Sequence, residues 1–92
     1  MLKEHYSPGI PILLNQRKAD KYCALITFGK TYKNKTNFFN LSKKSDLKDA
    51  ASNLYKTFRK IKKQGFKKIY VVKIPNVDAG IAINDRLKRA AN

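Results

Sequence analysis

Short apolar runs and longer amphipathic stretches alternate along the chain, and together they predict four strands and two helices. The predicted strands are residues 12–14, 22–28, 38–41 and 68–74. Each is rich in β-branched, aromatic or other large apolar residues, as strands commonly are. The run 22–28 is apolar almost throughout and ends at Gly29, which is typical of a strand covered on both faces. We therefore expect this strand at the centre of a sheet.

Both helices are predicted from apolar positions that recur with the helical period. The first covers 46–64, and its apolar stripe consists of Leu47, Ala50, Ala51, Leu54, Phe58 and Ile61. Ser45 or Asp46 is its expected N-cap. Gly65 supplies the left-handed residue that often ends a helix, and Phe66 the apolar contact after it. The second helix follows Asp78, its expected cap, and places on one face Ala79, Ile83, Leu87 and Ala90.

The order of these elements, β-β-β-α-β-α, predicts an α/β domain. Strand 38–41, helix 46–64 and strand 68–74 form a βαβ unit, whose right-handed crossover makes its two strands parallel. The fold class expected from the pattern is therefore a small, mostly parallel sheet of about four strands with two main helices.

The chain length of 92 residues suits one domain. Residues 1–11 are polar, contain Pro8 and Pro11 and show no period, so they are interpreted as a linker or tail. The segment 15–21 is charged and too short for a secure helix. We expect a single domain over residues 12–92.

The charge is strongly positive, with 21 Lys and Arg against 6 Asp and Glu and a formal net charge of +15. One interpretation is a surface that neutralises the phosphates of a nucleic acid. The other is compositional drift of an AT-rich coding sequence, since 17 of the basic residues are Lys, which lacks the bidentate fork of Arg. The composition alone leaves both interpretations open.

Seven basic residues crowd the end of the first helix and the turn after it: Lys56, Arg59, Lys60, Lys62, Lys63, Lys67 and Lys68. They are the candidate RNA-binding residues, because a dense basic patch can follow a phosphate backbone. The alternative is a solvated helix face whose cations complement the helix dipole. That alternative is the favoured one from the residues alone.

Residues that commonly carry catalysis are few. His5 is the only histidine and lies in the tail, and Cys23 is the only cysteine and lies in a predicted buried strand, where a thiol is usually inert. Metal-ligand spacings and glycine-rich phosphate loops are absent from the sequence. We predict no catalytic residue, no metal site and no cofactor. The cysteine usage, with no apolar run long enough to span a membrane, predicts a cytoplasmic protein.

Five stretches, taken together, resemble one known family: residues 1–8, 25–29, 40–42, 46–55 and 80–91. They are similar to the C-terminal domain, with the end of its preceding linker, of the long two-domain form of threonylcarbamoyl-adenylate synthase. The resemblance covers almost the whole chain in the right order. Its most specific parts are the opening His-Tyr-Ser-Pro and the closing Ile-Asn-Asp-Arg-Leu.

In that family a separate N-terminal YrdC-like domain condenses threonine, bicarbonate and ATP into threonylcarbamoyl-AMP, which is used to make threonylcarbamoyladenosine in tRNA. The resemblance implies that this chain is a Rossmann-like domain without that chemistry, and that its linker closes the catalytic cavity of a YrdC-like domain in the same or a separate chain. We expect a non-catalytic accessory domain. The alternative is a stand-alone basic module that binds RNA, including tRNA.

The resemblance also assigns residues. His5, Tyr6 and Pro8 match the linker that contacts the catalytic domain. Asn84, Asp85 and Arg86 match the C-terminal motif, where we expect helix capping or polar contacts between domains; the alternative is an exposed helical turn. One departure concerns segment 15–21, which is shorter than in many relatives, where a helix joins the two strands.

Overall fold

The computed structural model describes residues 9–91, which form a parallel sheet and two helices. The elements are β1 (Ile12–Leu13), β2 (Ala24–Thr27), β3 (Phe38–Asn40), α1 (Leu47–Lys63), β4 (Ile69–Val71) and α2 (Ala79–Ala91). The strands lie in the order β1-β4-β2-β3, and every pairing is parallel. The predicted α/β class and the predicted central position of β2 are confirmed.

The register of β2 shows how the predicted βαβ unit is built. Leu25 lies between Phe38 of β3 and Tyr70 of β4, and Ile26 lies between Phe39 and Val71. The strands on either side of α1 are therefore parallel, as predicted, but β2 is inserted between them. The crossover through α1 passes over one strand.

The two faces of the sheet are covered differently. One face carries only buried side chains: Ile12, Ala24, Ile26, Phe39, Ile69 and Val71. On the other face Leu25 is fully buried, whereas Phe38 and Tyr70 are half-buried and Leu13 is 38% exposed. Strand alternation separates these two sets, because neighbouring residues of a strand point to opposite faces.

The direction of the crossovers explains this difference. The chain moves one way across the sheet from β1 through β2 to β3, and the opposite way from β3 through α1 to β4. Because such crossovers are right-handed, α1 covers one face and the connections 14–23 and 28–37 cover the other. Neither connection contains a helix, which confirms the expectation for segment 15–21. α2 packs against α1 and β1 and so belongs to the helical layer.

The ends of α1 are formed as its sequence predicts. Asp46 is the N-cap, and its Oδ1 accepts hydrogen bonds from the backbone N–H groups of Lys48 (2.9 Å) and Asp49 (3.3 Å). Gly65, at φ +86°, takes the left-handed conformation past the other end. Phe66 then packs edge-to-face on Phe39 with ring centroids 5.8 Å apart, so the end of α1 is joined to the buried face of the sheet.

The start of α2 differs from the prediction that the side chain of Asp78 caps this helix. Asp78 precedes the helix, but its φ of +48° is left-handed, and its backbone carbonyl, at 3.1 Å, accepts from Ile81. Among residues 9–91 its carboxylate makes no hydrogen bond to a helix amide, because a residue in this conformation does not aim its side chain as an extended N-cap does. Neither helix in this part of the chain has the length and apolar character that a membrane crossing requires.

Candidate functional site

A crevice opens at the carboxyl ends of β1 and β4, the edge at which open parallel sheets commonly bind ligands. Its volume is about 210 Å³. The polar residues that line it are Asn15, Lys73, Asn76, Asn84 and Lys88. The crevice thus brings one residue of the predicted C-terminal motif to the carboxyl edge of the sheet.

Asn84 forms one wall of this crevice. Its Nδ2 donates to the backbone oxygen of Ile74 at 3.0 Å and to Oδ1 of Asn76 at 3.2 Å. Both acceptors belong to the segment that leaves β4, so Asn84 ties α2 to that segment. These hydrogen bonds lie within the domain.

Asp85 and Arg86 point elsewhere, because consecutive helical residues are separated by about 100° around the axis. Asp85 forms an ion pair of 3.1 Å with Arg89 one turn later, and both side chains are largely exposed. The guanidinium of Arg86 lies over the ring of Tyr55, 5.9 Å from its centroid, and so joins α2 to α1. The three motif residues therefore do not converge on one point.

The basic patch predicted from the sequence is divided in the structure. Lys56, Arg59, Lys60, Lys62 and Lys63 are exposed on α1, and Lys67 is exposed in the turn after it. Lys68 is half-buried instead, with its Nζ 6.0 Å from the ring centroid of Tyr70. Tyr70 belongs to the sheet face opposite α1, and Lys68, two residues earlier in the strand direction, lies on the same face. Lys68 does not extend the helix surface.

A second cleft lies at the open edge of β3, and it contains two lysines that the sequence patterns did not group with the patch. Lys33 comes from the connection before β3, Lys43 follows β3, and Lys60 comes from α1. The cleft has a volume of about 320 Å³. No sequence signal links these lysines, since they are brought together only when the sheet edge and the helix pack.

A family model described as "Threonylcarbamoyl-AMP synthase, C-terminal domain" matches residues 1–92, which is the entire chain. The chain belongs to this family. The resemblance drawn from the residues is thereby confirmed, and membership links the domain to the biosynthesis of threonylcarbamoyladenosine in tRNA. Comparisons with curated proteins and with solved structures gave no match.

In this threonylcarbamoyl-AMP synthase C-terminal domain Cys23 lies just before β2 and is half-buried, not within a buried strand as expected. Burial raises the pKa of Cys23, and a hydrogen bond with Asp20 and the negative charge of Asp20 raise it further. The charge of Lys68 and a hydrogen bond with Tyr70 act in the opposite direction and are smaller. Because the thiolate is the nucleophilic form, this thiol is poorly reactive at neutral pH.

The linker residues of the family domain, His5, Tyr6 and Pro8, lie outside the described residues, so their role remains a prediction. Within residues 9–91 no three His, Cys, Asp or Glu side chains come together as a metal site would require. The amides at the start of α1 are engaged by Asp46, and the hydroxyl of Ser42 accepts from the Asp46 N–H at 3.1 Å. These backbone N–H groups therefore already have hydrogen-bond acceptors among the side chains of the same loop.

Proposed function

We propose that this chain is a non-catalytic accessory domain of threonylcarbamoyl-AMP synthesis, which docks onto a YrdC-like catalytic domain and closes its active site through residues 1–11. The observation that carries the proposal is the family match over the whole chain. The raised pKa of Cys23 makes this thiol a poor nucleophile. His5, Tyr6 and Pro8 would supply the linker contacts.

The docking face in this proposal is the sheet face opposite α1, which the connections 14–23 and 28–37 cover only in part. The linker leads directly into β1, an edge strand, where Leu13 is 38% exposed. Leu13 pairs with Tyr70, and Phe38 lies on the same face beyond Leu25. These apolar side chains begin where the linker ends, so a partner held by the linker meets them first. Lys35 and Lys68 lie over the Phe38 and Tyr70 rings and favour an acidic partner surface.

The test titrates a labelled YrdC-like catalytic domain, from which its own linker has been removed, with the full 92-residue chain. We expect saturable association and a changed rate of ATP turnover or threonylcarbamoyl-AMP release. The double variant His5→Ala/Tyr6→Ala removes the linker contacts, and Leu13→Lys charges the docking face. The matched control is Ile81→Lys, because Ile81 is also an exposed apolar residue (56%) but lies on α2.

The proposal predicts weaker association for the linker variant and for Leu13→Lys, with Ile81→Lys close to the unmodified chain. Absence of association at saturating concentration, together with unchanged turnover, would refute it. Equal losses for Leu13→Lys and Ile81→Lys would retain the linker but reject the sheet face as the docking surface.

A second candidate function is RNA or tRNA binding by the exposed surface of α1. Its support is the run of exposed basic residues from Lys56 to Lys63, within which the helix has no acidic residue. This function requires tRNA affinity that falls steeply with salt, because binding releases counterions. Lys60→Glu/Lys63→Glu should then weaken binding strongly. A salt-independent affinity, or none, would exclude it.

A further inference from the structure

The cleft at the open edge of β3 is a polar site between three segments of the chain. The connection before β3 provides Lys33, Asn34 and Thr36, and the loop after β3 provides Lys43. α1 provides Thr57, Lys60 and Gln64. Its volume of about 320 Å³ is at the lower end of the range for small-molecule sites, roughly 300–1,000 Å³.

The charge of the cleft is positive and unbalanced. Among the described residues that line it there is no Asp or Glu. None of its three lysines takes part in the ion pair found within residues 9–91, which joins Asp85 and Arg89. Like charges that converge repel one another, and a bound anion relieves that repulsion. The cleft therefore favours a ligand with more than one negatively charged oxygen.

A second and independent feature is the side chain of Thr57. It is 9% exposed, lies on the side of α1 that faces the cleft, and makes no hydrogen bond among the described residues. No buried side-chain nitrogen or oxygen among the described residues lacks a partner, so the unpaired Thr57 hydroxyl is the solvent-accessible part of this otherwise buried side chain. Here the open direction is the cleft, so the Thr57 hydroxyl is free to donate to an oxygen of a ligand bound there.

The side chain of Asn40 is held in place by two hydrogen bonds. Its Nδ2 donates to the Gly29 carbonyl at 2.8 Å, and its Oδ1 accepts from the Ser42 N–H at 2.9 Å. These bonds fix the wall of the cleft between β3 and Lys43. The ring of Phe38 forms the adjoining wall.

We propose that this cleft binds a phosphate group of a nucleotide, held by Lys33, Lys43 and Lys60 with the Thr57 hydroxyl as a neutral donor. Lysine binds phosphate as a compact charge, without the planar geometry that arginine imposes. The nucleotide is either free or part of an RNA chain. The site goes beyond the proposed accessory role, because it needs no catalytic domain.

The test uses the full chain without any partner, and the probes are AMP, ATP and a short fluorescein-labelled single-stranded RNA. Calorimetry follows the mononucleotides, and fluorescence anisotropy follows the RNA. Three variants are compared with the unmodified chain: Lys33→Ala/Lys43→Ala/Lys60→Ala, Thr57→Val, and the control Lys18→Ala/Lys21→Ala/Lys48→Ala. The control removes the same number of positive charges from exposed lysines outside the cleft. Circular dichroism checks that each variant is folded.

We expect the cleft triple variant to weaken binding of at least one probe by about tenfold or more, equivalent to about 1.4 kcal/mol. The control triple variant should weaken binding by less than about threefold, since it changes only the general field of the protein. Thr57→Val, which removes the hydroxyl but keeps the shape, should weaken binding of the same probe while the net charge is unchanged.

The two sources of the phosphate are distinguished by the probes. Binding of AMP or ATP that the cleft variants abolish supports a free nucleotide, and binding of RNA alone with the same pattern supports an RNA backbone. Equal losses in the two triple variants would overturn the proposal, because the charge and not the site would then determine affinity. Absence of binding for all three probes would overturn it as well. Neither result bears on the docking function, which is measured with the catalytic domain.

Discussion

Gly80 lies so close to Pro75 that a Cβ atom at position 80 would overlap the backbone carbonyl oxygen of Pro75. The obstacle is backbone, which cannot rotate away as the end of a flexible side chain can. This contact brings the first turn of α2 against the segment that leaves β4, next to the crevice at the carboxyl edge of the sheet. A glycine within a helix is otherwise unfavourable, so the close approach explains its presence here.

Gly80→Ala should therefore destabilise the domain by about 1–3 kcal/mol, the typical cost of inserting atoms into a packed region. Without the overlap the same change would stabilise α2 by about 1 kcal/mol, because alanine has the higher helix propensity. Urea unfolding followed by circular dichroism measures the difference. The control is Ala82→Gly, at an exposed position of α2, which should cost about 1 kcal/mol from propensity alone. A Gly80→Ala domain as stable as the unmodified one would contradict the contact.

Asn37 fixes the start of β2 in a similar way. It is 6% exposed, and its Nδ2 donates to the backbone oxygens of Asp20 at 2.9 Å and Cys23 at 2.8 Å. Asn37→Ala leaves both carbonyls without this donor and should lower the free energy of unfolding by about 1–3 kcal/mol. Asn34→Ala is the control, because Asn34 is exposed and should change stability by less than about 0.5 kcal/mol. Equal unfolding midpoints for the two variants would show that the Asn37 bonds contribute nothing.

The local sequence pattern was sufficient to predict α1 and its two ends. Its apolar stripe, its Asp46 cap and the terminating Gly65 all lie within one continuous segment, so chain neighbours decide where it begins and ends. The pattern could not choose between Ser45 and Asp46, and the structure shows Ser45 with a left-handed φ of +59°. That conformation differs from the extended backbone an N-cap residue adopts, and it leaves the cap to Asp46.

The local sequence pattern could not predict the strand order or the cleft at the edge of β3. The insertion of β2 between β3 and β4 depends on long-range pairing, for which all three strands are apolar enough. The lysines of the cleft, Lys33, Lys43 and Lys60, are far apart in sequence and meet only at the sheet edge. Lys68 shows the reverse case: it is close to the helix lysines in sequence, but strand alternation places it on the opposite face.

The thiol of Cys23 gives a prediction about pH. Because burial and then Asp20 raise its pKa, reaction with iodoacetamide should increase only at a higher pH than for a cysteine in a short unstructured peptide. Asp20→Asn removes the negative charge and should move the pH midpoint of the reaction down. Lys68→Ala removes an opposing positive charge and should move the midpoint up. Identical midpoints in all three proteins would contradict this account of the pKa.

The raised pKa of Cys23 also determines how the free energy of unfolding changes with pH. With the pKa raised in the folded state, the native protein binds more protons than the unfolded chain in the interval between the two pKa values. The free energy of unfolding should therefore fall as pH rises from the unfolded value, about 8.5, through the folded one. Cys23→Ala should flatten this part of the stability curve, measured by urea unfolding at several pH values. A slope that persists unchanged in Cys23→Ala would assign the effect to another group.

Asn84 offers a test of whether the C-terminal motif stabilises the domain itself. Its two hydrogen bonds, to the Ile74 oxygen and to Asn76, join α2 to the segment after β4. Asn84→Ala should lower the free energy of unfolding by about 1–3 kcal/mol, at about 0.5–1.5 kcal/mol for each bond. Asn84→Asp should cost at least as much, because it replaces the amide donor with an oxygen that faces the carbonyl of Ile74. The matched control is Asp85→Ala, which breaks an exposed ion pair with Arg89 and should cost at most about 1 kcal/mol.

All three variants are measured on the isolated chain, where a contact between domains cannot contribute. If Asn84→Ala unfolds at the same urea concentration as the unmodified chain, the bonds of Asn84 do not stabilise the domain, and a contact with the catalytic domain becomes the better explanation of the motif.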